Sequence, residues 1–359
     1  MGAYQITVSR LRRYPVKGFK GHDIEQAELE AGGGVPFDRQ LALLVPPVPD
    51  LSTTDRGQLP YMYLSRNPSL ARYRTEWDGG NALRFIAPDG DTVSVDPATD
   101  QGFDEANRAF ARWFGDRPGG PPRLSPLRRD GGYWDFSDTA LSIINLATVR
   151  DIARTAGRDI NPLRFRANIY IDGLPAWREF HLVGKRLQAG NAELDVLRGI
   201  ARCNATSIDP ERDEVDMNMP LHLRHTYGHL FCGVYARVAS SGTVRPGMKM
   251  TIRKAYGADP YLLKAVTSRP PAEWPRFVTV TREDDGLALS SPVECWPLLP
   301  PRYGEYLRIH PTDGNPETTL KAPLLASSSA EAYRIGAAGL QKAAEELLIS
   351  GPYPDGATS

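Results

Sequence analysis

The chain is punctuated too often for long helices, with 33 glycines and 31 prolines spread through 359 residues. Glycine supplies positive-φ turn positions and proline removes a backbone donor, so this density favours short strands joined by turns. Tyr4, Ile6 and Val8 alternate with Gln5, Thr7 and Ser9, the two-residue period of a half-buried strand that runs out at Tyr14-Pro15. FDRQLALLV (37–45), ALRFIAP (82–88) and DGDTVSV (89–95) continue the pattern, the last two joined by an Asp89-Gly90 hairpin turn. Together these segments predict one N-terminal sheet domain. Phe103, Ala106, Phe110 and Trp113 recur at helical spacing before Gly115 and predict a single amphipathic helix closing it. DRPGGPPRLSP (116–126) reads as a linker.

A second unit follows. TALSIINLATVRDIART (139–155) predicts a strand running into a helix, and RFRANIYIDG (164–173), KRLQAGNAELDVL (185–197) and FCGVYARVASSGTVRPGMKMTI (231–252) predict strands broken at glycines. Beyond it, RFVTVTREDDGLALSS (276–291) predicts a hairpin turning at Asp285-Gly286, and a terminal helix is expected from about Ala330 to Ile349. The division expected is 1–125, 126–255 and 256–359.

Bulk charge narrows the partners. Lys and Arg together number 43, as do Asp and Glu, so the chain as a whole gives no electrostatic reason to bind nucleic acid or an acidic membrane. Any anion site must be local. No apolar run approaches the roughly 18 residues of a membrane span, and the first residues alternate instead of forming a signal-peptide core. Three scattered cysteines, Cys203, Cys232 and Cys295, make neither a disulfide framework nor a CxxC metal pair, and the expected setting is a reduced cytoplasm.

P-loop, GxGxxG, GxSxG and HExxH signatures are absent. What remains is a set of basic residues and one cysteine. Lys17 follows YPV, Arg39 ends FDR, Arg166 and Asn168 lie in RFRAN, and Arg202 precedes Cys203. Guanidinium forks and an ammonium brought together would hold a phosphorylated anion. The same charges would favour a thiolate at a neighbouring cysteine, and a thiolate suits a soft or high-valent metal. Cys232 and Cys295 lie in apolar stretches and are expected to pack in the core. His222, His225 and His229 would line one face of a helix, but their segment lacks a carboxylate or Cys partner at ligand spacing and is expected to be a loop before a strand.

The ordered set YPVKG (14–18), FDR (37–39), RFRAN (164–168), ARCNATSIDP (201–210), GVYARV (233–238) and GTVRPG (242–247) resembles the MOSC family of molybdenum-cofactor proteins with its N-terminal β-barrel domain. Within it, the amidoxime-reducing component and its bacterial relatives are the similar subgroup. The resemblance implies a β-rich α+β chain: a MOSC β-barrel preceded by an N-terminal β-barrel-like domain, with a C-terminal α/β extension that matches nothing familiar. It further implies a molybdopterin whose metal is held by Cys203, cradled by Lys17, Arg39, Arg166, Asn168 and Arg202, with Ser207 near the metal loop. The implied activity is a two-electron reduction of an N-hydroxylated or N-oxygenated small molecule, with electrons from an external donor protein. Three positions depart from the family pattern: Gly18 where relatives often carry Ser, Ala167 where they carry Pro, and Asn145 where they carry Ser. Two other readings stay open, a sulfur-transfer protein carrying a persulfide on Cys203 without molybdenum, and a non-catalytic cofactor carrier.

Overall fold

The computed structural model describes residues 5–48, 60–77, 80–115, 117, 119–128, 131–134, 141–182, 185–227 and 230–255, with five strands between 262 and 322. The N-terminal part runs β1 (Ile6–Arg13), β2 (His22–Asp23), β3 (Ala27–Leu29), β4 (Leu43–Leu44), β5 (Arg74–Trp77), β6 (Leu83–Ile86), β7 (Thr92–Val95), α1 (Asp100–Phe114) and β8 (Arg123–Leu124). The central part runs β9 (Leu141–Asn145), α2 (Leu146–Ala156), β10 (Ile169–Asp172), β11 (Lys185–Ala189), β12 (Ala192–Ala201), β13 (Ile208–Asp209), β14 (Glu214–Val215), α3 (Met219–Tyr227), β15 (Phe231–Ser240), β16 (Gly242–Val244) and β17 (Lys249–Ala255).

Seven strands close a barrel in the order β10-β9-β15-β12-β11-β17-β1, with β1 returning to β10. The β9–β10 pair is parallel, and α2 is the crossover that a parallel pair requires. The expected strand at the chain's start is present, but it belongs to this barrel: Leu11 lies opposite Ile169 and Ile6 opposite Met250. Alternation reports that a strand is half-buried and is silent about what it is buried against. A register shift between Val8 and Arg10 moves the inward positions from Ile6 and Val8 to Leu11, which explains the interval of three in the apolar pattern. These three side chains join Ile143, Ile169, Leu187, Leu194, Val196 and Val234 in one core.

The N-terminal unit has its own core, built on the β5-β6-β7 sheet and α1. Phe19 stacks on Tyr73 at 5.3 Å and meets Phe85 and Phe110 edge-on, geometry favoured by the ring quadrupole. Helix α1 is capped by the Thr99 hydroxyl, which accepts the Gly102 N–H, and it ends at Gly115 with φ +61°. The β6–β7 hairpin forms as expected, with Gly90 at φ +94° in its turn. The linker reading of 116–126 is corrected in its second half: Arg123–Leu124 pairs with Leu43–Leu44, and Leu124 is buried. Gly and Pro content marks irregular backbone without saying whether it is packed.

Helix α3 replaces the loop expected around the histidines. His222 Nε2 lies 3.1 Å from Thr155 Oγ1 on α2, a contact that ties the two helices. His229 lies outside the described residues. In the C-terminal extension, β18 (Leu262–Thr267), β19 (Thr279–Glu283) and β20 (Gly286–Pro292) form one sheet, and β21 (Leu307–Ile309) pairs with β22 (Leu320–Ala322). The expected hairpin is there, with Glu283 opposite Gly286. The expected helix at 330–349 and Cys295 lie outside the described residues.

Candidate functional site

A cleft lies between the N-terminal unit and the barrel, lined by Lys17, Arg39 and Tyr63 from the first and by Ser142, Arg166, Asn168, Arg202, Cys203, Thr206 and Tyr235 from the second. Six of the seven residues expected at the site reach its wall. Ser207 does not: it is buried, and its hydroxyl accepts the Met219 N–H at 3.1 Å, so it fixes the start of α3.

Cys203 emerges where β12 ends. Its side chain is exposed, and its carbonyl accepts the Thr206 N–H at 3.0 Å and the Thr206 hydroxyl at 2.9 Å, which fixes the short 3-10 turn 204–207. Two of the Arg202 side-chain nitrogens are taken up by the protein itself. Nε donates to the Cys232 carbonyl at 2.7 Å and Nη1 to the Phe165 carbonyl at 3.0 Å, so this guanidinium pins the barrel wall behind the thiol. Its Nη2 is buried without a hydrogen-bond partner among the described residues. Cys232 is a core residue, as expected, and burial pushes its thiol well up.

Two arginines define the cationic side. Arg39 and Arg166 both hold left-handed backbone at φ +53°, a conformation that non-glycine residues adopt at a cost of about 1–3 kcal/mol. Both guanidiniums stand over the ring of Tyr14, at 4.7 Å and 4.6 Å from its centroid. Arg39 is paired with Asp38 and donates from Nη2 to the Arg166 carbonyl at 2.8 Å. The Arg166 guanidinium has no side-chain hydrogen bond among the described residues, and burial, reinforced by the charge of Arg39, lowers it to about 10 against the opposing pull of Tyr14 and Asp38. A half-buried cation in that condition is suited to an incoming anion. Lys17 Nζ donates to the Tyr133 carbonyl at 2.9 Å beside the rings of Tyr61 and Tyr63.

Asn168 is committed elsewhere. Its Oδ1 accepts from the Ser142 N–H and hydroxyl at 3.2 and 3.0 Å, and its Nδ2 reaches the Arg12 carbonyl at 3.4 Å. It therefore shapes the wall by joining β9 and β10 to β1. The three departures from the family pattern have local reasons. Gly18 stands at φ +92°, and a Cβ there would approach Leu70 Cδ1 to 2.9 Å. Ala167 supplies an N–H to the Tyr170 hydroxyl at 3.1 Å, a donor that proline lacks. Asn145 caps α2 by accepting the Ala147 N–H, and it donates to Glu179 Oε2 at 3.0 Å.

Sequence reasoning missed the residues that hold these groups in place. Tyr14 and Asp38 lie inside motifs already singled out, so their position was a usable signal. Asp216 carries none: it accepts from Arg164 Nη1 and Nη2 at 3.1 Å each and from Arg158 Nη2 at 2.6 Å, while Arg164 Nη1 also reaches the Thr206 carbonyl. Asp216 thus clamps the turn that presents Cys203.

The donor set constrains any metal. Among the described residues no three His, Cys, Asp or Glu side chains gather at metal-binding distance, so those residues offer a metal at Cys203 a single protein ligand. A metal carried on a phosphorylated organic cofactor fits such a site, since the thiol and the cations share one cleft. Among the described residues no helix is long and apolar enough to cross a membrane.

Comparison with known proteins agrees with this anatomy. Residues 5–116 match the MOSC N-terminal beta barrel domain, and residues 114–251 match the MOSC domain. Two curated relatives, molybdenum cofactor sulfurases of Caenorhabditis briggsae and Caenorhabditis elegans, are 36% identical over 90 residues and 33% identical over 104. Those stretches are 24% and 28% of this chain but only 12% and 14% of the relatives' length. Among solved structures, YuaD from Bacillus subtilis is 16% identical, covering 70% of this chain and 97% of its own, with a TM-score of 0.35. YiiM from Geobacillus stearothermophilus is 20% identical over 32% of this chain and 55% of its own, with a TM-score of 0.27.

Proposed function

Since the chain belongs to the MOSC-domain proteins that carry the MOSC N-terminal beta barrel domain, we propose that it binds a molybdenum–pterin cofactor and works as a cytoplasmic two-electron oxidoreductase. Its substrate is a small N-hydroxylated or N-oxygenated molecule, and a separate donor protein supplies electrons. The observation that carries this reading is the exposed Cys203 thiol in one cleft with Lys17, Arg39 and Arg166.

When bound, the cofactor supplies a metal able to exchange two electrons and an oxygen atom. The chain's share is binding and orientation. Cys203 would be the protein ligand, and Thr206 fixes its backbone. Arg39, Arg166 and Lys17 neutralise the phosphate, with charge-assisted hydrogen bonds of about 1.5–3 kcal/mol each. Arg202 acts from behind through the carbonyls of Phe165 and Cys232, and Asn168 through Ser142. The free thiols of Cys203 and Cys232 suit a reducing compartment.

The sulfurase relatives favour a second reading, in which Cys203 carries a persulfide and passes sulfur on without molybdenum. A non-catalytic cofactor carrier is the third. One experiment separates them: metal, pterin and cyanide-labile sulfur are measured in protein from a cofactor-competent host, followed by turnover of an N-hydroxylated compound with a chemical reductant. Stoichiometric molybdenum with turnover supports the oxidoreductase, and molybdenum without turnover leaves the carrier. Labile sulfur without molybdenum supports sulfur transfer. Cys203→Ser should abolish turnover and change the visible spectrum, because an alcohol is a harder and far less acidic ligand. Cys232→Ser should lower stability only. Full turnover by Cys203→Ser would remove the thiol from the mechanism.

A further inference from the structure

We propose that Tyr14 is the positioning residue of the anion subsite: its ring holds one guanidinium from each half of the cleft, Arg39 and Arg166, together in one place. This rests on the anion-binding reading of the cleft given above. Two like charges do not gather unaided. Arg39 comes from the N-terminal loop 37–39 and Arg166 from the turn that enters β10, yet each guanidinium carbon lies within 4.7 Å of the same ring centroid. The negative face of an aromatic ring attracts a cation at that distance, and the attraction strengthens where water is excluded. Tyr14 is 2% exposed and does not line the cleft, so it can act on a ligand only through the arginines.

The ring is itself held from several sides. The Tyr14 N–H donates to Asp38 Oδ1 at 2.8 Å, and the Tyr14 carbonyl accepts the Arg39 N–H at 2.6 Å. Its hydroxyl lies 3.5 Å from that of Tyr170, which accepts the Ala167 N–H. The Ala167 peptide directly follows Arg166, so the ring and the Arg166 loop are also joined through Tyr170. Tyr14 follows β1, the strand that closes the barrel, which places the ring at the junction of the two units. Arg39 Nη2 on the Arg166 carbonyl completes the tie. The ring's electrostatic face is thus the common support for both cations, and its hydroxyl is a lesser contributor at 3.5 Å.

The test uses inorganic pyrophosphate as probe, titrated calorimetrically into the full chain at low ionic strength. Tyr14→Phe should bind within about threefold of wild type, because the ring face is kept. Replacing Tyr14 by pentafluorophenylalanine keeps a similar shape but inverts the ring's charge distribution, and affinity, measured well below the variant's thermal midpoint, should fall at least about tenfold because the two guanidiniums are no longer held together. Arg166→Ala in that background should cost less than it does in wild type, the mark of a shared interaction. If wild type and Arg166→Ala differ in affinity while the pentafluoro variant matches wild type, the Tyr14 inference is overturned and the anion site stands. If wild type binds no pyrophosphate, the anion reading and the inference fall together. A pentafluoro variant that loses stability but keeps its affinity assigns Tyr14 a packing role and also overturns the inference.

Discussion

Replacing Asp216 by asparagine should cost the protein about 3 kcal/mol at neutral pH. The Asp216 side chain is 6% exposed and that of its partner Arg164 is 1% exposed, so water compensates little when the pair is disturbed. The amide keeps the shape and one acceptor but turns an N–H₂ toward the guanidinium, so one of two charge-assisted hydrogen bonds is lost at about 1.5–3 kcal/mol. The remaining buried charge is then incompletely paired, a state that costs about 3–5 kcal/mol when a partner is removed altogether. Arg158 is 38% exposed and adds under about 1 kcal/mol. A loss of about 3 kcal/mol lowers the thermal midpoint of a domain this size by roughly 6–12 °C.

The pH dependence has a definite sign. Burial pushes the Asp216 carboxyl up, but the hydrogen bond and charge of Arg164 and the charge of Arg158 outweigh it and hold the group below the usual carboxylate range. A depressed folded-state value contributes stability above the unfolded value of about 3.9, and that contribution is lost as pH falls through the folded value. The gap between wild type and Asp216→Asn should therefore be widest above about pH 5 and close on acidification. Urea unfolding followed by tryptophan fluorescence at pH 7 and at about pH 2.5, below the unfolded value, measures both. A gap under about 1 kcal/mol at pH 7 would refute the clamp, being the size expected of a surface ion pair. Molybdenum occupancy, measured on the same preparations, should fall with stability because Arg164 releases the Thr206 carbonyl behind Cys203.

Gly18→Ser, which restores the residue frequent among relatives, should destabilise by about 1–3 kcal/mol because the backbone is at φ +92° and Leu70 crowds the new Cβ; an unchanged thermal midpoint would mean that the loop relaxes without cost. Glu179 is buried and burial raises its carboxyl, against hydrogen bonds from Asn145 and Thr148. A raised folded value means its contribution is full below the unfolded value and is lost as pH rises through the folded one, so Glu179→Gln should gain on wild type between pH 4 and pH 8. Parallel stability curves for the two proteins would contradict this.

The fold was legible wherever a local period decides structure. The strand Leu141–Asn145 running into a helix, the Asp89-Gly90 hairpin, the helix before Gly115 and the β19–β20 pair all follow from spacing and turn residues within a dozen positions. Strand β1 shows the limit. Its alternation fixes the inward residues, but its partners lie near positions 170 and 250, and no local signal names them. The site divides the same way. Lys17, Arg39, Arg166 and Cys203 stood out by type and motif and do meet in one cleft. Asn168 and Ser207 stood out equally but spend polar atoms on the protein itself, as Arg202 does with two of its three nitrogens, and a motif cannot say toward which side a side chain turns.

That division has a physical basis. A polar group already satisfied by the protein has less to offer a ligand than one with donors to spare. Arg166 and Arg164 are two positions apart in RFRAN and identical in type, yet Arg164 is bidentate to Asp216 whereas, among the described residues, the Arg166 guanidinium faces the Tyr14 ring without a hydrogen bond. The difference comes from the backbone between them: Arg164 lies within the 3-10 turn 162–165, and Arg166 caps that turn in left-handed geometry, which sends its side chain toward Tyr14 and the cleft. The strain at Arg166 and its lowered proton affinity are therefore two consequences of one placement. An anion that hydrogen-bonds this guanidinium offsets the cost of burying its charge, and because it binds the folded chain, filling the cleft should raise the protein's stability.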